Sequence, residues 1–88
     1  MIMKRSREDI IENILELCQE PASKTRIVYQ VNLNFRTINP HLDHLLSTGL
    51  LEALGDTKIL YRTTPKGMEA LRHIKALRDL LQTASEEP

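Results

Sequence analysis

The chain has 88 residues, no net charge at neutral pH and one cysteine. That length gives one small domain, which buries only about 60% of the surface its unfolded chain exposes and gains from a partner. The lone cysteine excludes an internal disulfide, and no apolar run approaches the roughly 18 residues of a membrane span, so a cytoplasmic protein without membrane attachment is expected.

The first helix opens at "SRED". Ser6 is a good N-cap, and Asp9 three residues on makes a weaker form of the capping box. Ile10, Ile11, Ile14, Leu15, Leu17 and Cys18 then lie on one apolar arc. Cys18 is therefore expected to be a small buried hydrophobe in a reduced compartment. Glu8, Glu12, Glu16 and Glu20 recur four apart on another face, which is expected to be solvated. Pro21 is expected to end this helix.

A short helix over residues 24–31 follows, capped by Ser23, with Ile27, Val28 and Val31 turned inward. "NLN" makes a tight link in which Leu33 plugs the core and Asn34 caps the next helix. That helix, "FRTINPHLDHLLS", contains Pro40, which lacks an N–H and collides with the carbonyl of Arg36. Either the helix starts at Pro40, where "NP" is a respectable N-cap and N1 pair, or it runs through. Phe35, Ile38, Leu42, Leu45 and Leu46 fall within an arc of about 100° without slipping phase at Pro40. This favours one helix over 35–47, bent or loosened near Pro40, with Gly49 as its C-cap glycine.

"LLEAL", "GDT" and "KILYRT" give a β-hairpin with a tight Gly-Asp turn. Thr64 and Pro65 supply the N-cap and N1 of a last helix to about Thr83, and "ASEEP" is a frayed tail. On that helix Ala70, Ile74, Leu77, Leu81 and Ala84 follow the 4-3-4-3 spacing of a short coiled-coil seam, while Met68 and Leu71 suit the domain's own core. The fold class is mainly α with a small β-hairpin, in one domain over about 6–83.

Charge is unevenly spread. Lys4, Arg5 and Arg7 precede an acidic stretch from Glu8 to Glu20, and Lys58, Arg62, Lys66, Arg72, Lys75 and Arg78 dominate the region after the hairpin turn. A neutral total can hide a basic and an acidic face. His41 and His44 lie one turn apart, but Cys18 and His73 are the only other soft ligands and nothing in the spacing gathers them, so the four-ligand set of structural zinc is not formed. No phosphate loop and no nucleophile–base set is visible. No enzyme, metal, cofactor or small-molecule ligand is expected.

Two helices joined by a few residues, the second followed by a hairpin, make a helix-turn-helix with a wing. "SKTRIVYQVNLNFRTINPHLDHLLSTGLLE" and "YRTTPKGMEAL" closely resemble the small winged helix-turn-helix regulators abundant in archaea. The likeness extends from about Ser6 to Leu81. It implies that helix 35–47 enters the DNA major groove, that the 54–59 tip is the wing and that the last helix pairs two chains. The residues fit these roles. Arg36 can contact guanine O6 and N7 and Thr37 a phosphate or thymine methyl, His41 and His44 share the polar side, and Asn39, at the edge of the apolar arc, is a weaker candidate. Lys24, Thr25 and Arg26 at a helix start suit backbone phosphates. At the wing, Lys58 is offset by Asp56, so a weak contact is expected. A homodimeric, sequence-specific DNA-binding regulator is the favoured reading. The alternative is a winged helix used for protein contacts within a transcription or chromatin assembly, a use that the zero net charge and the acidic wing tip favour.

Overall fold

The computed structural model describes residues 6–86. The order is α1 (Arg7–Leu17), α2 (Lys24–Val31), α3 (Phe35–Ser47), β1 (Leu51–Leu54), β2 (Leu60–Thr63) and α4 (Pro65–Glu86). Each helix start follows from local chemistry. Ser6 Oγ accepts from the Asp9 N–H at 3.1 Å while the Ser6 N–H donates to Asp9 Oδ2 at 3.2 Å, a closed capping box. Ser23 Oγ accepts from the Arg26 N–H at 3.2 Å, Asn34 Oδ1 from the Thr37 N–H at 2.7 Å, and Thr64 Oγ1 from the Gly67 N–H at 3.0 Å. The ends differ more. α1 stops at Leu17, ahead of Pro21, with Cys18 as its C-cap. Asn32 closes α2 in the left-handed region at φ 63°. α3 ends in a Schellman motif, in which Gly49 at φ 80° donates to the Leu46 carbonyl and Leu50 to that of Leu45.

α3 runs through Pro40, which sits exposed inside it. Ile38 before the proline and Leu42 and Leu45 after it are all buried, so one core contact holds both halves in register. That core joins Ile14, Leu15 and Cys18 of α1 to Ile27, Val28 and Val31 of α2, and then to Leu51 and Leu71. Burial pushes the Cys18 thiol up to about 11, far from a reactive thiolate. Phe35 departs from the expected inward arc. It is 48% exposed, because the first residue of α3 overhangs the core that Ile38 begins.

The hairpin is antiparallel, with Leu51 opposite Thr63 and Leu54 opposite Leu60. Its connection is the loop Gly55–Ile59 and not a tight Gly-Asp turn. Gly55, at φ 98°, meets the returning chain where a Cβ would lie 2.2 Å from the Lys58 carbonyl oxygen. Ala22, between α1 and α2, bridges to Tyr61 through reciprocal bonds of 3.0 and 2.8 Å and ties the helical half to the wing. Buried Thr63 completes the tie, its hydroxyl donating to the Leu15 carbonyl at 2.7 Å.

α4 continues to Glu86, past the expected end near Thr83, so residues 84–86 are helical rather than frayed. It projects beyond the core, and the Cα radius of gyration of 14.1 Å exceeds the ~12 Å of a compact chain this long. The acidic side of α1 is its docking rail. Lys75 Nζ stands 2.6 Å from Glu16, and Arg78 reaches both Asp9 and Glu12. Glu12 is 4% exposed. Its Oε1 lies 2.5 Å from the Arg78 guanidinium without an aligned hydrogen bond, a Coulombic contact. The regular glutamate run is therefore only partly a solvated face, since α4 covers its middle.

Candidate nucleic-acid interface

α2 packs against α3 so that its head, at the end remote from the connecting turn, meets the second turn of α3. Lys24 Nζ donates to Asn39 Oδ1 at 2.7 Å, bridging the first residue of α2 to the second turn of α3. Thr25 and Arg26 are exposed beside it, and so are Arg36 and Thr37 in the first turn of α3. Free N–H groups at these two helix starts add partial positive charge. His44 is exposed and His41 half-buried on the other flank of α3. Burial, followed by the nearby charges of Arg7 and His44, holds His41 below its ordinary 6.5. Lys58 is exposed but stands apart, on the hairpin loop with Asp56.

Of the residues expected at the interface, Lys24 and Asn39 are thus brought into contact, and His41 and His44 into one field. Three further exposed residues lie on these two helices or near His41. Arg7, at the start of α1, is near enough to depress His41. A cation in the first turn runs against the helix dipole, the one sequence signal that could have found it. Tyr29 is 76% exposed on α2, as the phase of Ile27, Val28 and Val31 dictates, and Phe35 stands at the head of α3. Among the described residues, Asp9, Glu12, Glu16 and Glu52 are paired with Arg78, Lys75 or Arg62, whereas Lys24, Arg26 and Arg36 enter no ion pair. Asp43 remains as an exposed acid on the outer side of α3.

The sequence profile described as winged helix-turn-helix matches residues 4–82. The chain belongs to the winged helix-turn-helix family. Members of this family are generally non-enzymatic. Among solved structures, this member is similar to Sso10a-2, a DNA-binding protein from Sulfolobus solfataricus, with a TM-score of 0.80 and 28% identity over 93% of this chain and 90% of that one. The fold is also that of SPO1453, a MarR family transcriptional regulator from Silicibacter pomeroyi, at a TM-score of 0.68 and 16% identity over 89% of this chain and 58% of that one. ZitR from Lactococcus lactis shares it at a TM-score of 0.67 and 15% identity, over 100% and 69% of the two chains. An uncharacterised protein of Methanocaldococcus jannaschii is 38% identical over 50 residues, and the match spans 56% of this chain and 52% of that protein. No helix among the described residues is long and apolar enough to cross a membrane.

Proposed function

We infer that this winged helix binds double-stranded DNA sequence-specifically as a homodimer and regulates transcription, with α3 in the major groove. The observation that carries this reading is the joint face of α2 and α3, where Arg36 and Thr37 lie exposed at the head of α3 beside cations that enter no ion pair among the described residues. Recognition helices contact bases mainly through their N-terminal residues. Arg36 suits the bidentate contact to guanine. Thr25 and Arg26 hold a backbone phosphate at the start of α2, and Lys58 adds a minor contact at the wing. The 28% identity to Sso10a-2, a DNA-binding protein, over nearly the whole of both chains supports the same reading.

Dimerisation rests on α4. Leu77, Leu80 and Leu81 are 56%, 70% and 61% exposed on a helix that has already buried Leu71. Ile74, Leu77 and Leu81 also line an open groove of about 300 Å³ with Ser6, Glu8 and Arg78. A second copy of α4 covers this surface as a short coiled coil. Ala70 packs against the domain's own core at the near end of the seam, and Ala84 lies outside the residues whose side chains are described.

A protein-contact role competes, because exposed Tyr29, Phe35 and Ile59 would suit a protein partner. Titration of duplex DNA at two salt concentrations separates the readings. DNA binding must weaken steeply with salt as counterions are released. Arg36→Ala should cost about 1–3 kcal/mol on a selected site and relax one base position per half-site. Absence of any duplex binding leaves the protein-contact reading.

A further inference from the structure

We propose that Lys24 and Asn39 act as one reading unit for an acceptor-only base edge, that of guanine, a step that rests on the DNA-binding reading above. The two residues stand on different helices and are joined by the 2.7 Å bond from Lys24 Nζ to Asn39 Oδ1. An ammonium group has three donors and no acceptor. Only the carboxamide oxygen of Asn39 can face it, so the bond fixes which way the amide points. With the oxygen held by Lys24, the Asn39 NH2 is left as the free end of an exposed side chain, on the same helix as exposed Arg36 one turn earlier.

This changes what Asn39 can read. An asparagine free to use both ends reads adenine, accepting from N6 with its oxygen and donating to N7 with its nitrogen. Here the oxygen is engaged by a charged donor, and the adjacent positive charge opposes the approach of a second N–H. What the pair offers to an incoming base is donors alone, two on Nδ2 and those remaining on Nζ. Guanine presents N7 and O6, both acceptors, on its major-groove edge. Lys24 thereby acts beyond a phosphate contact, since it sets the polarity of a residue that points at the bases.

A phosphate oxygen is also a pure acceptor, and the test separates the two. Sites are selected from random duplexes with the wild-type protein, Lys24→Met and Asn39→Ala. Both positions lie at the surface, and circular dichroism melts confirm that each variant folds. The wild type should enrich guanine at the position that Asn39→Ala flattens. Lys24→Met frees the Asn39 oxygen, so it should lower the preference for guanine over adenine there by roughly 10-fold or more while leaving the other positions unchanged. Uniform weakening by Lys24→Met with base preference intact makes Lys24 a phosphate contact and overturns the proposal. Adenine in the wild-type site at the position that Asn39→Ala flattens overturns it too. In both of these outcomes the DNA-binding function still stands. A wild type that binds no duplex removes that function and this proposal together.

Discussion

Replacing Pro40 by alanine asks how much stability α3 gives up at its exposed face. An interior proline costs about 3 kcal/mol relative to alanine, through the lost N–H and the ring's clash with the carbonyl four residues back. Pro40 lies in the second turn, so its missing donor would have served the Arg36 carbonyl. Two effects reduce the gain on substitution. Alanine returns about 0.4–1 kcal/mol of entropy to the unfolded chain. The face is also exposed, so water already satisfies part of what the Arg36 carbonyl lacks. The net expectation is a stabilisation of about 1–2 kcal/mol, or roughly 5–15 °C in Tm for a domain of this size. Thermal melts at matched protein concentration read it, because self-association makes Tm depend on concentration. An unchanged or lowered Tm would refute the reasoning and show that the first turn of α3 contributes little, so that the helix is effectively capped at Pro40.

Gly67→Ala should destabilise although Gly67 is helical. Its Cβ would lie 2.2 Å from the Leu50 carbonyl oxygen and 2.6 Å from Thr63 Cγ2, and displacing backbone outweighs the ~1 kcal/mol gain in helix propensity for a net loss of about 1–3 kcal/mol; a urea melt showing higher stability would contradict this. Ile74→Glu combined with Leu81→Glu should yield a monomer in sedimentation at micromolar concentration, and a surviving dimer would rule out the α4 seam. His41, held below 6.5 in the fold, contributes stability that is complete above 6.5 and is lost as the pH falls through its folded value. Any gain in DNA affinity on protonation of His41 should therefore reach its full size only below pH 6.5, and an NMR titration of the free protein placing His41 above 6.5 would remove the argument.

Where the sequence could be read, the controlling chemistry was local. The caps at Ser6, Ser23, Asn34 and Thr64 each act within three residues, and all four form as their positions imply. The path of α3 through Pro40 was legible because the apolar phase on either side has to meet one core. What escaped depended on distant partners. The hairpin register brings Leu54 opposite Leu60, and Tyr61 is anchored by Ala22, so the loop length is set outside the Gly-Asp pair that looks like a turn. Glutamates four apart define a face without saying what covers it, and Lys75 and Arg78 arrive from the far end of the chain. Phe35 kept phase but lies where the core has not yet begun. At the candidate interface the residue types were legible, whereas the Lys24–Asn39 pairing and the approach of Arg7 to His41 are tertiary events.

The zero net charge, which at first opposes a nucleic-acid partner, has a structural answer in where the acids go. Asp9, Glu12 and Glu16 lie against Arg78 and Lys75 along the α1–α4 contact, and Glu52 is matched across the hairpin by Arg62. These pairs remove acids and bases together from the balance and leave their charge holding α4 to the domain. The cations at the heads of α2 and α3 enter no ion pair among the described residues, and the helix N-termini add to their field. A duplex approaching that side meets a local positive charge that the whole-chain sum conceals. At physiological salt a charge more than about 8 Å away is largely screened, so it is this local balance that a phosphate backbone feels. The same arithmetic limits the affinity expected on the proposed reading, because few cations stand at the heads of α2 and α3 and the hairpin loop carries Asp56 as well as Lys58. With electrostatics this modest, the proposed discrimination between sites would have to come from the exposed polar groups on α3.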